Sequence, residues 1–196
     1  EGGYLMKPLI RTIVNSRTYQ LSAITNASNQ ADGKYFSHMH SRPLPAEVLL
    51  DAVSDVTGVP ETYSATWPGA RAMETWNYKI GSEFLDAFGR PNSSSDPPCE
   101  RNTKGTIVQS LHLMHGDGLQ KKITHEKGRA RRLSDSKKTP AEIADEVYLA
   151  TLSRRPTQKE RALVEKFYKN HKDGRRSATE DFIWAIINSA EFIFNH

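Results

Sequence analysis

Apolar positions recur at helical spacing along much of this chain, and the densest run closes it. In residues 181–196 (DFIWAIINSAEFIFNH), Phe182, Ile183, Ile186 and Ile187 fall at i, i+1, i+4 and i+5. That is one broad apolar face of an α-helix. Trp184 and Ala185 widen it, so the spacing predicts a central helix with neighbours on more than one side. Asn188 and Ser189 loosen the pattern. Phe192 and Phe194 follow, which predicts that the last residues belong to the core.

Earlier stretches carry the same period. Leu5, Leu9, Ile10, Ile13 and Val14 predict an amphipathic helix that starts near Leu5 or Met6, because Pro8 is tolerated only in a first turn. Tyr19 and Leu21 are expected to pack, residues 26–34 (NASNQADGK) to form a polar loop, and Tyr35 and Phe36 to anchor the segment after it. Pro43 and Pro45 open a helix whose stripe is Val48, Leu49, Ala52, Val53 and Val56, stopped by Gly58 and Pro60. Residues 61–77 show no period and predict an extended ordered loop, with a short strand around 70–73. Residues 82–88 predict a short helix, and 92–98 (NSSSDPP) a loop. Ile107, Val108, Leu111 and Met114 mark a helix over 104–115, ended by Gly116 and Gly118. Residues 119–124 and 128–133 predict helical turns.

The last third is the most regular. Thr139 and Glu142, and again Thr157 and Glu160, have capping-box spacing, with Pro140 at a first helical position. Ile143, Val147, Tyr148 and Leu152 form one expected buried stripe; Leu163, Val164, Phe167 and Tyr168 form the next. Ser177 or Thr179 is expected to cap the final helix. Together these patterns predict an all-α fold, one irregular helical domain over residues 1–196 with long ordered loops and a C-terminal three-helix antiparallel unit.

Composition narrows the function classes. At 196 residues and 37% hydrophobic residues, the chain can bury a core. It has no run of apolar residues long enough to cross a membrane as a helix and no signal peptide. It begins at Glu1 and enters a helix almost at once, as a piece of a longer protein would. Its one cysteine, Cys99, excludes an internal disulfide and a thiolate cluster, and no Cys-x-x-Cys-His is present for covalent haem attachment. The net charge of +4 is unevenly spread. Lys121, Lys122, Lys127, Arg129, Arg131, Arg132, Lys137 and Lys138 stand against Glu126 and Asp135, a local excess of six positive charges. Such a stretch fits an anionic partner or a solvated segment. No aromatic residue is interleaved for base stacking, which weighs against nucleic acid.

The candidate chemistry is sparse. His112 and His115 are spaced i, i+3 and can share a metal ion, but spacing supplies no third ligand. A packed or capping role is the preferred reading of both. Cys99 stands beside Glu100 and Arg101, where Arg90 and Arg101 would favour a thiolate. No Gly-rich phosphate loop, nucleophile elbow or His-Glu-x-x-His is present. Any catalytic site would gather Arg42, Arg71, Asp86, Arg90, Cys99, Glu100, Arg101, His112 and Asp117 where the middle loops meet. The competing reading makes the same charges a structural arginine–carboxylate network.

Seven segments read together point to a family: 42–52 (RPLPAEVLLDA), 69–72 (GARA), 84–91 (FLDAFGRP), 99–101 (CER), 110–117 (SLHLMHGD), 147–157 (VYLATLSRRPT) and 194–196 (FNH). In this order they resemble the planctomycete-specific C-terminal domain of unknown function that closes planctomycete cytochrome c domain-containing proteins. The resemblance covers nearly the whole chain. It implies that the family domain's opening segment is missing here, and that the parent protein is exported, periplasmic or on the cell surface. It also implies haem in a neighbouring cytochrome c domain and no cofactor in this chain. Where that family often has a second cysteine, this chain has Pro97 and Pro98. Where it favours asparagine, this chain has His115. The expected role is a non-catalytic scaffold or interaction domain. The alternative is an enzyme domain acting on an extracellular polymer or a redox partner, with its site near Arg90, Cys99 and His112.

Overall fold

The computed structural model describes residues 5–21, 24–35, 37–64, 66–75, 80–90, 109, 113–114 and 116–195. They fall into two units, one within residues 1–42 and one spanning Pro43–Asn195.

In the smaller unit, α1 (Met6–Val14) begins so that Pro8 is its third residue, where a missing N–H costs no helical bond. The helix buries none of its residues. Tyr19, Leu21 and Tyr35 were expected to pack and are instead exposed. The backbone around them runs in turns and bends, which present no periodic face. Loop 26–34 is closed by its own side chains. The Asp32 carboxylate accepts the backbone N–H groups of Lys34, Tyr35 and Ser37 and the Ser37 hydroxyl. These bonds hold its carboxyl well below the usual carboxylate range.

The larger unit is built around α2 (Ala46–Thr57), which is apolar on two sides. Leu49, Val53 and Val56 enter the larger core; Ala46 and Leu50 enter a smaller one. Gly58 stops the helix at φ 70°, a left-handed turn that glycine adopts without strain. The smaller core adds Tyr63, Ala70, Ala72, Ile80 and Leu85. Leu85 belongs to α3 (Glu83–Ala87), capped by the Ser82 hydroxyl. The strand expected around 70–73 is instead a 3-10 turn, Ala72–Glu74. A buried carboxylate causes it: Asp51 of α2 accepts the N–H groups of Ala72 at 2.7 Å and Met73 at 3.2 Å, so neither can enter a ladder.

The larger core joins α2 to α4 (Asp117–Ile123), α5 (Arg129–Ser134), α6 (Pro140–Leu152), α7 (Gln158–Asn170), α8 (Gly174–Ile187) and α9 (Ala190–Ile193). Gly118 lies inside α4 rather than ending a helix before it. Both capping boxes form. Thr139 and Thr157 accept the N–H groups of Glu142 and Glu160, whose carboxylates accept the threonine N–H groups in return. Ile143, Val147 and Tyr148 are buried as the stripe predicts, and Leu152 is half-buried. On α7 the stripe is narrower than expected. Val164 alone is buried, while Leu163 is 65% and Phe167 38% exposed. The reason is that α7 lies at the margin of the core, facing α6 and α8 along one line.

The closing helix is central, as its period requires. Phe182, Ile183 and Ile187 of α8 are buried, and α8 packs most extensively on α5. Ala185, however, is exposed and Trp184 only half-buried. The helix starts at Gly174, a turn before Ser177. Thr179 is therefore not a cap; it is fully buried, accepts the Tyr168 hydroxyl at 2.9 Å and donates to the Arg175 carbonyl at 2.8 Å. Phe192 of α9 is buried, but Phe194 is 37% exposed. Strands are confined, among the described residues, to β1 (Arg42–Pro43) and β2 (Phe194–Asn195). The Leu44 N–H, just after β1, donates to the Ile193 carbonyl at 2.9 Å. The fold is all-α and irregular, with long ordered connections.

Candidate functional site

Three charged residues of the shared motifs, Arg71, Asp86 and Arg90, sit in or beside short elements packed against α2. Asp51 and Asp55 are one turn apart on that helix, so both carboxylates face the 3-10 turn. Arg71, at the start of the turn, donates to both oxygens of Asp55, at 3.0 and 2.7 Å, and its Nε lies 3.4 Å from Asp51. This fork-on-carboxylate pairing pushes the Arg71 guanidinium above its ordinary pKa, Asp55 first and Asp51 second. Arg71 lines a cavity of about 280 Å³ with Asp51, Asp55, Glu61 and Gly69.

Arg90 makes a separate joint. Its side chain is 6% exposed, and its guanidinium donates to the Ile80 carbonyl at 2.7 Å and pairs with Asp86, one helical turn earlier, at 2.7 Å. Asp117 opens α4 and lines a second cavity of about 470 Å³. Arg71 and Asp117 thus border different cavities, while Asp86 and Arg90 pair with each other and line neither. Arg42 belongs to the smaller unit. Cys99, Glu100, Arg101, His112 and His115 lie outside the described residues. No group of three His, Cys, Asp or Glu residues able to hold a metal ion occurs among the described ones.

Four of the eight basic residues of the 121–138 stretch are engaged within the fold. The Lys122 ammonium is buried and donates to the Val59 carbonyl at 2.8 Å and the Ser54 hydroxyl at 3.3 Å, with Glu61 at 3.4 Å. Burial pushes its pKa down, partly offset by Glu61. Arg129 donates to the Val56 and Asp55 carbonyls and to Glu146. Both cations therefore meet the C-terminal end of α2, where free carbonyls and the helix dipole favour positive charge. Arg131 pairs with Asp135, and Lys138 with Glu146. Lys121, Lys127, Arg132 and Lys137 remain exposed.

Two functional candidates were invisible in the sequence. Tyr63 is 7% exposed, and its hydroxyl has no hydrogen-bond partner among the described residues. Burial, then Glu61 and Asp51, push that phenol's pKa well up. Glu61 lines both cavities. Neither residue has a periodic context or a motif; the one available signal was an aromatic residue in an aperiodic loop.

A family model described as "Protein of unknown function (DUF1553)", short name PSD1, matches residues 1–168. No curated protein sequence and no solved structure matches the chain.

Proposed function

The chain belongs to this PSD1 family of unknown function, and we propose that it serves as a non-catalytic scaffold or interaction domain of an exported, cytochrome c-linked multidomain protein. The observation that carries the reading is how the motif charges are used. Arg71 is committed to Asp51 and Asp55, and Arg90 to Asp86 and a backbone carbonyl. Arg154, of the 147–157 motif, is committed to Glu160 and Glu191. Each such arginine joins two segments distant from each other or locks a turn. Side chains used this way hold a shape, and a held shape is what a docking domain contributes. No helix among the described residues is long and apolar enough to cross a membrane.

Cross-linking mass spectrometry on the haem-loaded parent protein tests the proposal. Reproducible links from lysines of residues 43–195 to the cytochrome c domain are the expected result. Absence of interdomain links, together with a turnover that collapses in a folded Asp86→Asn variant, would replace it with the enzyme reading.

A further inference from the structure

Helix α1 of the smaller unit is amphipathic, yet its apolar face is bare. Successive residues of an α-helix are rotated by about 100°, so Met6, Leu9, Ile10, Ile13 and Val14 share an arc of about 140°. Leu5, just before the helix, extends that face. Lys7, Pro8, Arg11 and Thr12 occupy the opposite side. All six apolar residues are between 38% and 65% exposed. A water-soluble surface rarely gathers so many large aliphatic groups side by side, and a patch of this kind marks an interaction face.

The charge around the face says what covers it. Asp and Glu make up 23 of the 196 residues, yet residues 2–31 contain neither, while Lys7, Arg11 and Arg17 stand in that stretch. The next acid, Asp32, turns its carboxylate onto the backbone N–H groups of its own loop. A short helix that is aliphatic on one side, and basic or neutral on the other, complements a layer of negative charge laid over hydrocarbon. The long stems of Lys7 and Arg11 can lie along that boundary while their heads stay in the polar layer. The face itself has no aromatic ring and no hydrogen-bonding side chain. A protein partner draws its affinity from anchors of that kind seated in pockets; acyl chains need none. Tyr19, in the turn after α1, is exposed and is of a residue type that favours the headgroup level.

We propose that α1 lies in the plane of an anionic lipid surface, with its aliphatic face among the acyl chains and Lys7 and Arg11 at the phosphates. The helix has nine residues, too few to span a bilayer, so the contact is peripheral. One short apolar face with a few basic residues binds reversibly, and binding weakens with salt. This role belongs to the smaller unit and is independent of the docking role proposed for residues 43–195.

The test is cosedimentation of the chain with large vesicles of phosphatidylglycerol and phosphatidylcholine in equal parts, and with vesicles of phosphatidylcholine alone. Saturable binding to the mixed vesicles is expected, at least about tenfold stronger than to phosphatidylcholine alone and reduced at high salt. Leu9→Gln/Ile13→Gln keeps every charge and places helix-forming residues on the face, so it should abolish binding. Lys7→Gln/Arg11→Gln keeps the apolar face and should weaken binding to the mixed vesicles by about tenfold to thirtyfold. Because α1 buries none of its residues, both variants should keep the wild-type melting temperature. No saturable binding to the mixed vesicles, equal binding to both vesicle types, or wild-type binding by either variant would overturn the proposal. Self-association that Leu9→Gln/Ile13→Gln abolishes, in place of vesicle binding, would overturn it too and assign the face to a second copy of the chain.

Discussion

Arg154 donates two hydrogen bonds to Glu191, from Nε to Oε1 at 2.6 Å and from Nη2 to Oε2 at 2.7 Å. The same guanidinium donates twice to Glu160, at 3.0 and 2.8 Å, and lies 5.2 Å from the centre of the Tyr148 ring. One side chain therefore joins the turn after α6, the first turn of α7 and α9. Ser153, just before it, takes φ 54°, the left-handed conformation that ends α6. Lysine reaches the same place with a point charge and cannot fork two carboxylates. Arg154→Lys is expected to cost about 1–2 kcal/mol, a discounted figure because all three partners are about one-third exposed. A urea midpoint indistinguishable from wild type would contradict this.

Glu160 gives that cluster a pH dependence. Hydrogen bonds from Arg154, chiefly, and from Thr157 hold its carboxyl at about 2, against 4.5 for the free side chain. The folded value is depressed, so the unfolded chain binds the proton first. The stability that Glu160 contributes is complete above about 4.5 and is lost as pH falls towards about 2. Thermal melts over this window should fall less steeply for Glu160→Gln than for wild type. Parallel curves would remove Glu160 from the acid response.

Asp51 is expected to be the costliest single carboxylate of the smaller core. It is 6% exposed and accepts two backbone N–H groups. Asp51→Ala strands both donors in a buried turn, at about 2–3 kcal/mol. Hydrogen exchange at Ala72 and Met73 should accelerate more than exchange in α6. Uniform acceleration would indicate global loss instead.

Gly128 marks a close backbone approach in the larger unit. A Cβ there would meet the His125 carbonyl oxygen at 3.0 Å, Lys122 at 3.3 Å and Thr57 at 3.4 Å. All three are backbone atoms, which cannot rotate away. Gly128→Ala should destabilise by about 1–3 kcal/mol. Gly118→Ala, inside α4 with nothing within 4 Å, should stabilise slightly, by about 0.5 kcal/mol. Denaturant midpoints moving in the same direction would refute the contrast.

Local rules decided much of the helical frame without help. Thr139 with Glu142 and Thr157 with Glu160 start their helices where the capping pattern places them, because the donors and acceptors lie within four residues. Gly58 stops α2 for a comparably local reason. The same local signals failed where a distant group intervened. Residues 70–73 looked like a strand until Asp51, some twenty positions away, claimed two of the turn's N–H groups. Thr179 looked like a cap, but Tyr168 bonds it inside the core. Leu163 and Phe167 fit a stripe whose width depends on how far α7 reaches over its neighbours.

The candidate site was less legible than the fold. Sequence reading assembled arginines and carboxylates from shared motifs, and the structure pairs Arg71 with Asp51 and Asp55, and Arg90 with Asp86. It did not single out Tyr63, Glu61 or Lys122 as cavity walls, because a cavity is space left between elements and has no period along the chain. By itself, then, the sequence determined the helix class, the two capping boxes, the central place of the closing helix and the family, all properties of neighbouring residues or of motif order. Only the tertiary structure decided which charges neutralise each other, which hydroxyl is left without a partner and where space remains. Those depend on distances between segments far apart in the chain, and local propensity does not encode such distances.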